Sequence, residues 1–175
     1  LMLLLDQLER EGRVAGPVSV LGDSLGAVIA LRWQRADPRI GKVVAISPYA
    51  SLSRAILNIT HEYAAWLPDC LIRSGLSKLP SVLDVERTEL NPENWIARRP
   101  ELAKPIFFVA GDADRIAPLD QVRTLQERAG ARTQLLVIPD AGHEALPFAM
   151  DHLAQPVKEW LSAKPEQTIG APFEP

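Results

Sequence analysis

Val18-Ser19-Val20-Leu21-Gly22-Asp23-Ser24-Leu25-Gly26 runs directly into Ala27-Val28-Ile29-Ala30-Leu31, and the reading of the chain turns on this stretch. Val18 to Leu21 is a short apolar, β-branched run, the pattern of a buried strand. From Leu25 to Arg35 the apolar residues recur at helical spacing. Between the two lies a Gly-x-Ser-x-Gly turn. A turn this sharp strains the serine backbone, and its glycines are expected where side chains would collide with the neighbouring strand and helix. Ser24 Oγ is thereby expected at the carboxyl edge of a sheet, where open α/β sheets place ligands. The helix start adds unpaired N–H groups and a positive dipole end. Ser24 is therefore either an exposed nucleophile, a helix N-cap, or part of a phosphate cradle. Against a nucleotide site, no Lys follows the turn and no third glycine completes a dinucleotide fingerprint.

Working outward, apolar runs alternate with helical segments. Val43-Val44-Ala45-Ile46, Ile106-Phe107-Phe108-Val109-Ala110 and Leu135-Leu136-Val137-Ile138 read as further strands. Leu119 to Ala129 reads as a helix closed by Gly130, and Glu144 to Leu161 as a last helix carrying Leu146, Met150, Leu153, Val157 and Trp160 on one face. Continuous apolar strands separated by helices imply a parallel sheet covered on both sides, so the fold class is α/β with about four strands. Between Ile46 and Ile106 the chain is far longer than one crossover needs. Ile56, Ile59, Tyr63 and Trp66 recur there at helical spacing, followed by Pro68, Pro80, Pro92 and Pro100. Residues 50–102 are either a surface excursion packed on the sheet or a small helical cap over the strand ends. The domain is expected over 1–162, with 163–175 a loosely ordered tail.

Composition sets the outer bounds. The chain has 175 residues, 47% hydrophobic and 23% charged, with a net charge of −3. That is an ordinary globular domain, and neither its sign of charge nor any Lys/Arg cluster offers a nucleic-acid footprint. Proline, at 15 residues, exceeds the ~5% average usage. The single cysteine, Cys70, excludes an internal disulfide and reads as a small core residue beside Leu67, Leu71 and Ile72. No run approaches the ~18 apolar residues of a membrane span. Leu1 to Leu5 lacks the length and basic flank of a signal core and reads as a helix ending at Gly12, which leads us to expect further chain upstream. The three histidines are not spaced as metal ligands and no Cys/His cluster exists, so neither metal nor cofactor is implied.

Two further turns carry chemistry. Gly111-Asp112-Ala113-Asp114-Arg115-Ile116-Ala117-Pro118 follows the third strand, and Pro139-Asp140-Ala141-Gly142-His143-Glu144 follows the fourth. In a parallel sheet both lie at the same carboxyl edge as Ser24. A serine hydroxyl becomes a useful nucleophile when a histidine takes its proton, and the histidine needs a carboxylate to fix its tautomer. His61, in the long connection, and His152, inside the last helix, are competing bases that read better as surface or packing residues. Arg115 could pair with a substrate carboxylate, although an ion pair with Asp112 or Asp120 is the plainer account.

On these motifs the chain resembles the carboxyl-terminal part of an α/β-hydrolase, from the nucleophile elbow onward. Within that family it is similar to serine aminopeptidase-like and prolyl oligopeptidase-like esterases and peptidases. The resemblance implies Ser24 as nucleophile, Asp114 as triad acid and His143 as base, with Asp112 satisfying turn N–H groups. It implies an oxyanion hole that uses Leu25 N–H and a second donor from a loop before Leu1. Losing one such donor costs on the order of 10²–10³ in turnover. Asp23, beside the nucleophile, has an open role. Tyr63, Trp66, Trp95 and Arg115 are expected near the acyl or leaving-group pocket. The substrate implied is a small-molecule ester, thioester or amide, or a peptide. A non-catalytic α/β-hydrolase-like binding module is the rival. In the family's sheet order the elbow strand pairs with a strand absent here, so Val18 to Leu21 is expected to be an open apolar edge and a route to self-association.

Overall fold

The computed structural model describes residues 2–96 and 104–163; the expected tail, from residue 164 on, lies outside the described residues. The chain begins with α1 (Met2–Arg10) and continues through β1 (Val18–Asp23), α2 (Leu25–Ala36) and β2 (Ile40–Ile46). The long connection carries α3 (Leu52–Tyr63), α4 (Asp69–Leu83) and the short α5 (Pro92–Trp95). Then come β3 (Ile106–Gly111), α6 (Leu119–Ala129), β4 (Thr133–Ile138) and α7 (Met150–Ser162). The strands form one four-stranded sheet in the order β1-β2-β3-β4, every neighbouring pair parallel. Their carboxyl ends therefore share one edge.

Alternation along the central strands divides the core in two. Val43 and Ala45 of β2, with Ile106, Phe108 and Ala110 of β3, face a cluster that includes Ala27, Leu31, Val122 and Leu125 from α2 and α6. Val44, Ile46, Phe107 and Val109 face the opposite side, where Leu146, Leu153 and Trp160 close over them. The Phe107 and Trp160 rings stack with centroids 5.5 Å apart. Burial on both faces explains why these strands read as unbroken apolar runs.

Two lysines tie helix ends to this framework. Lys42 Nζ donates to the carbonyls of Trp160, Leu161 and Ala163 at 2.7, 3.0 and 2.6 Å, and lies 5.1 Å from the Trp160 ring centre. Lys104 Nζ does the same at the end of α2, reaching the Gln34, Asp37, Pro38 and Ile40 carbonyls. Both place a cation on orphan carbonyls at a helix carboxyl end, where the dipole favours it. Arg39 joins α1 to the α2–β2 turn through Asp37, Asp6 and Glu9.

Several expectations need correction. The last helix begins at Met150, not Glu144: a 3-10 turn at Leu146–Phe148, with Pro147 inside it, separates the His143 turn from α7. Cys70 is exposed on α4, because that helix buries only Ile72. Trp95 is 2% exposed in the main core and donates its indole N–H to the Glu89 carbonyl, so it lines no substrate pocket. Trp66, by contrast, is 82% exposed. Pro80 and Pro156 do not break the chain but lie inside α4 and α7.

β1 is paired on one side only among the described residues, and its Leu21 is 56% exposed. An open apolar edge templates pairing with another chain. Sedimentation at rising concentration is expected to show self-association that Leu21→Lys suppresses; a monomer at every concentration would contradict this. In urea, Phe108→Ala is expected to cost about 3–5 kcal/mol by emptying the core, whereas Trp66→Ala should stay within ~0.5 kcal/mol, as surface changes do.

Candidate active site

Ser24 occupies φ 50°, ψ −115°, a conformation that L-residues rarely adopt. Its N–H donates to the Ile46 carbonyl at 2.8 Å, which pins the turn to β2. Gly22 is required here, because a Cβ on it would collide with the Gly26 backbone. Gly26 itself faces open space, so the expected crowding holds for the first glycine of the motif and not for the second. Leu25 opens α2, where the Ala27 and Val28 N–H groups donate to the Ser24 carbonyl and those of Leu25 and Gly26 precede the helical ladder.

The β3 and β4 turns meet in front of Ser24. A Cβ on Gly111 would collide with the Ala141 carbonyl, so the two loops approach as closely as backbones can. Asp114, whose side chain is fully buried, is anchored through Oδ1, which accepts the Ile116 and Ala117 N–H groups at 2.9 and 2.8 Å. Its other oxygen, Oδ2, lies 2.8 Å from His143 Nδ1. His143 Nε2 in turn lies 2.9 Å from Ser24 Oγ. An ionised carboxylate only accepts, so Nδ1 carries the proton and donates to Asp114; Nε2 is then free to accept the Ser24 hydroxyl. Hydrogen bonding to Asp114 pushes the His143 pKa above the ordinary imidazole value, against the opposing effect of burial.

The neighbouring aspartates divide the remaining tasks. Asp112 Oδ1 accepts the Asp140 N–H at 2.7 Å, bracing the β4 turn where Asp140 has φ 55°. Asp23 is pushed upward in pKa, chiefly by burial, and its Oδ1 is buried with no hydrogen bond.

A cleft of about 300 Å³ opens beside His143, lined by Glu62, Tyr63, Ala113, Arg115 and Glu144 among others. Tyr63 reaches it from α3 and donates its hydroxyl to Glu144. Arg115 also lies here, but its ion-pair partner is Glu62, at 3.7 Å, in place of the expected Asp112 or Asp120; Asp120 pairs with Arg54 instead. Trp66 does not line the cleft. His61 bonds Asp69 at 2.7 Å, and His152 is exposed on α7, so neither approaches Ser24. Glu62, Glu144 and Ser47 escaped the sequence reading. The first two are adjacent in sequence to Tyr63 and His143, which was the available signal. Ser47, buried at the end of β2 with φ 46°, carried none.

The fold has solved counterparts. The chain is similar to the Pyrococcus furiosus esterase PF2001, with a TM-score of 0.68 and 23% identity over 95% of this chain. It spans 59% of that esterase's length. It is also similar to MGS-MChE2, an α/β-hydrolase enzyme from a lagoon-sediment metagenome, at a TM-score of 0.60 and 19% identity over 91% of this chain and 67% of the other. The esterase domain of a Rhodothermus marinus protein matches at a TM-score of 0.60 and 14% identity, covering 89% of this chain and 63% of that one. No protein-family model matches the sequence, and comparison with curated proteins gives no match. At these identities the likeness concerns the fold, and this chain has a partial α/β-hydrolase fold.

The closeness of Gly111 to Ala141 yields a prediction. Gly111→Ala should cost about 1–3 kcal/mol by overpacking and move the β4 turn, altering the His143 side-chain NMR signals while distant β1 signals stay in place. Unaltered His143 signals would show that the contact does not position the histidine.

Proposed function

We propose that the chain carries the catalytic triad of a serine hydrolase acting on an ester, thioester or amide carbonyl. The observation that carries this reading is the continuous chain from Ser24 Oγ through both His143 nitrogens to Asp114. Ser24 attacks the carbonyl carbon while its proton passes to His143 Nε2, and Asp114 holds the imidazole in the receptive tautomer and stabilises the imidazolium. The Leu25 N–H, at the positive end of α2, faces the developing oxyanion as one donor. His143 then protonates the leaving group, and water, activated by the same imidazole, clears the acyl-enzyme. The cleft beside His143, with Tyr63 and Arg115 on its wall, receives part of the substrate, and α3 and α4 act as a small cap beside it. Among the described residues no group of His, Cys, Asp and Glu could hold a metal ion, and each step above is assigned to a side chain or backbone group.

A fluorophosphonate probe tests the proposal directly. Ser24 is expected to be labelled, and labelling is expected to vanish in Ser24→Ala and fall by orders of magnitude in His143→Ala. Absence of labelling in folded protein favours a non-catalytic binding module. Because the reactive form needs neutral His143, whose pKa is raised, the labelling rate should climb with pH through a midpoint above the ordinary imidazole value. Asp114→Asn should lower both that midpoint and the plateau. The linked stability has the opposite sense: the stabilisation of imidazolium is present at pH below the unfolded value and is lost as pH rises through the folded one.

A further inference from the structure

Helix α3 is fastened to the turn after β3 along one stripe of its surface. Arg54, Asn58 and Glu62, four residues apart and so on one helical face, meet Asp120, the Ile116 carbonyl and Arg115 in turn. The two outer contacts are exposed ion pairs, a class that contributes little to stability. The middle contact differs. Asn58 Nδ2 donates to the Ile116 carbonyl at 3.0 Å, and because a carbonyl only accepts, the side-chain amide must present its NH₂ group here. That carbonyl belongs to the peptide unit joining Ile116 to Ala117, residues that are 7% and 1% exposed. The other end of the same unit, the Ala117 N–H, donates to Asp114 Oδ1 at 2.8 Å. One planar peptide group is therefore held by Asn58 on one side and holds the Asp114 carboxylate on the other.

We infer that Asn58 is a positioning residue for the proposed reaction: through the Ile116–Ala117 peptide it fixes the carboxylate that orients His143. Two effects act along this line. Because the peptide is planar, gripping its oxygen sets the direction in which its N–H points, and with it the place of Asp114 Oδ1. Accepting a bond at the carbonyl also polarises the amide and strengthens its N–H as a donor. The line continues from Asp114 Oδ2 to His143 Nδ1 at 2.8 Å and from His143 Nε2 to Ser24 Oγ at 2.9 Å. Every link from α3 to the nucleophile is thus a hydrogen bond or a planar peptide. Without Asn58 the carbonyl loses this donor, and the turn relaxes around the carboxylate. The start of α3 is fixed separately, because the fully buried Gln121 of α6 accepts the Ala50 and Ser51 N–H groups at 3.0 and 3.2 Å. Removing the Asn58 amide therefore acts on the turn and leaves the helix in place. Glu62 and Tyr63, one turn further along α3, line the cleft, so the helix that walls the cleft also braces Asp114.

This inference rests on the serine-hydrolase reading, and its test keeps the two apart. The Ala117 amide and the His143 imidazole are followed by NMR against pH in the wild type, Asn58→Leu, Asn58→Gln and Arg54→Ala, with the fluorophosphonate labelling rate measured in parallel. Asn58→Leu keeps the shape of the side chain and removes its donor. In that variant the Ala117 amide proton is expected to move upfield and the His143 midpoint to fall by roughly 0.3 pH unit or more. The plateau labelling rate should fall about two- to ten-fold, the range of one neutral hydrogen bond. Asn58→Gln, which retains a side-chain amide, should recover part of each change. Arg54→Ala, which breaks only the neighbouring ion pair with Asp120, should leave all three readouts in place. The other charged groups around His143, namely Asp23, Glu144 and the Glu62–Arg115 pair across the cleft, are the same in every variant. If Asn58→Leu does not fold, Asn58→Ser, whose shorter side chain withdraws the donor, takes its place with the same expectation. An Asn58 variant that melts earlier yet keeps the wild-type Ala117 and His143 signals overturns the inference, because Asn58 then only fastens the helix. Equal changes in Arg54→Ala overturn it too. Should the wild type not be labelled, the hydrolase reading fails on its own, and the NMR signals still decide whether Asn58 positions Asp114 against His143.

Discussion

Parallel pairing is the constraint from which the rest of the structure follows. Because β1 to β4 run in one direction in spatial order, the turn after each strand opens at the same edge. Residues as distant in sequence as Ser24, Asp114 and His143 are thereby delivered to one place without any local interaction between their segments. The pairing also determines the core. A central strand with neighbours on both sides and helices on both faces has no polar side to offer, and Val43–Ile46 of β2 and all of β3 are apolar accordingly, while Lys42 near the start of β2 is satisfied by the α7 carbonyls.

Strain and close backbone approach concentrate at that same edge. Ser24, Ser47 and Asp140, at the ends of β1, β2 and β4, all have positive φ without being glycine, at a cost of order 1–3 kcal/mol each. At the end of β3 the device is Gly111, whose missing side chain admits the Ala141 carbonyl. Such conformations persist only where surroundings over-determine them, and here the anchors are visible: Ser24 N–H on Ile46, Ser47 N–H on Val109, and Asp140 N–H on Asp112. At the opposite edge Lys42 and Lys104 clamp helix ends with ordinary hydrogen bonds.

The electrostatic character of that rim matches its geometry. His143 is held by Asp114, a carboxylate anchored on two backbone N–H groups, and lies beside a cleft whose acidic residues are already engaged by Tyr63 and Arg115. Hydrogen bonding to Asp114 shifts His143 toward the imidazolium relative to an ordinary imidazole, which in the proposed reaction helps it to take a proton and return it.

Much of this was legible in the sequence because it depends on local pattern. The strand-turn-helix run from Val18 to Leu31 marked Ser24, and the turns past the third and fourth strands marked His143 and the Asp112/Asp114 pair, since residue type and chain direction suffice to place them at the edge; the choice of Asp114 came from the family resemblance. The start of α7, the burial of Trp95, the exposure of Cys70 and Trp66, and the partner of Arg115 were not legible. Each depends on which surfaces meet once the chain has folded, and helical spacing alone does not say whether an apolar face has a neighbour. The sequence by itself determined the α/β class and brought Ser24, His143 and the two aspartates after the third strand to one edge, because periodicity and turn residues act over a few positions. Only the tertiary structure decided the 2.8 and 2.9 Å contacts of His143 and the pairing of Arg115 with Glu62, because hydrogen-bond geometry is set by loops from different strands packing within a few tenths of an ångström.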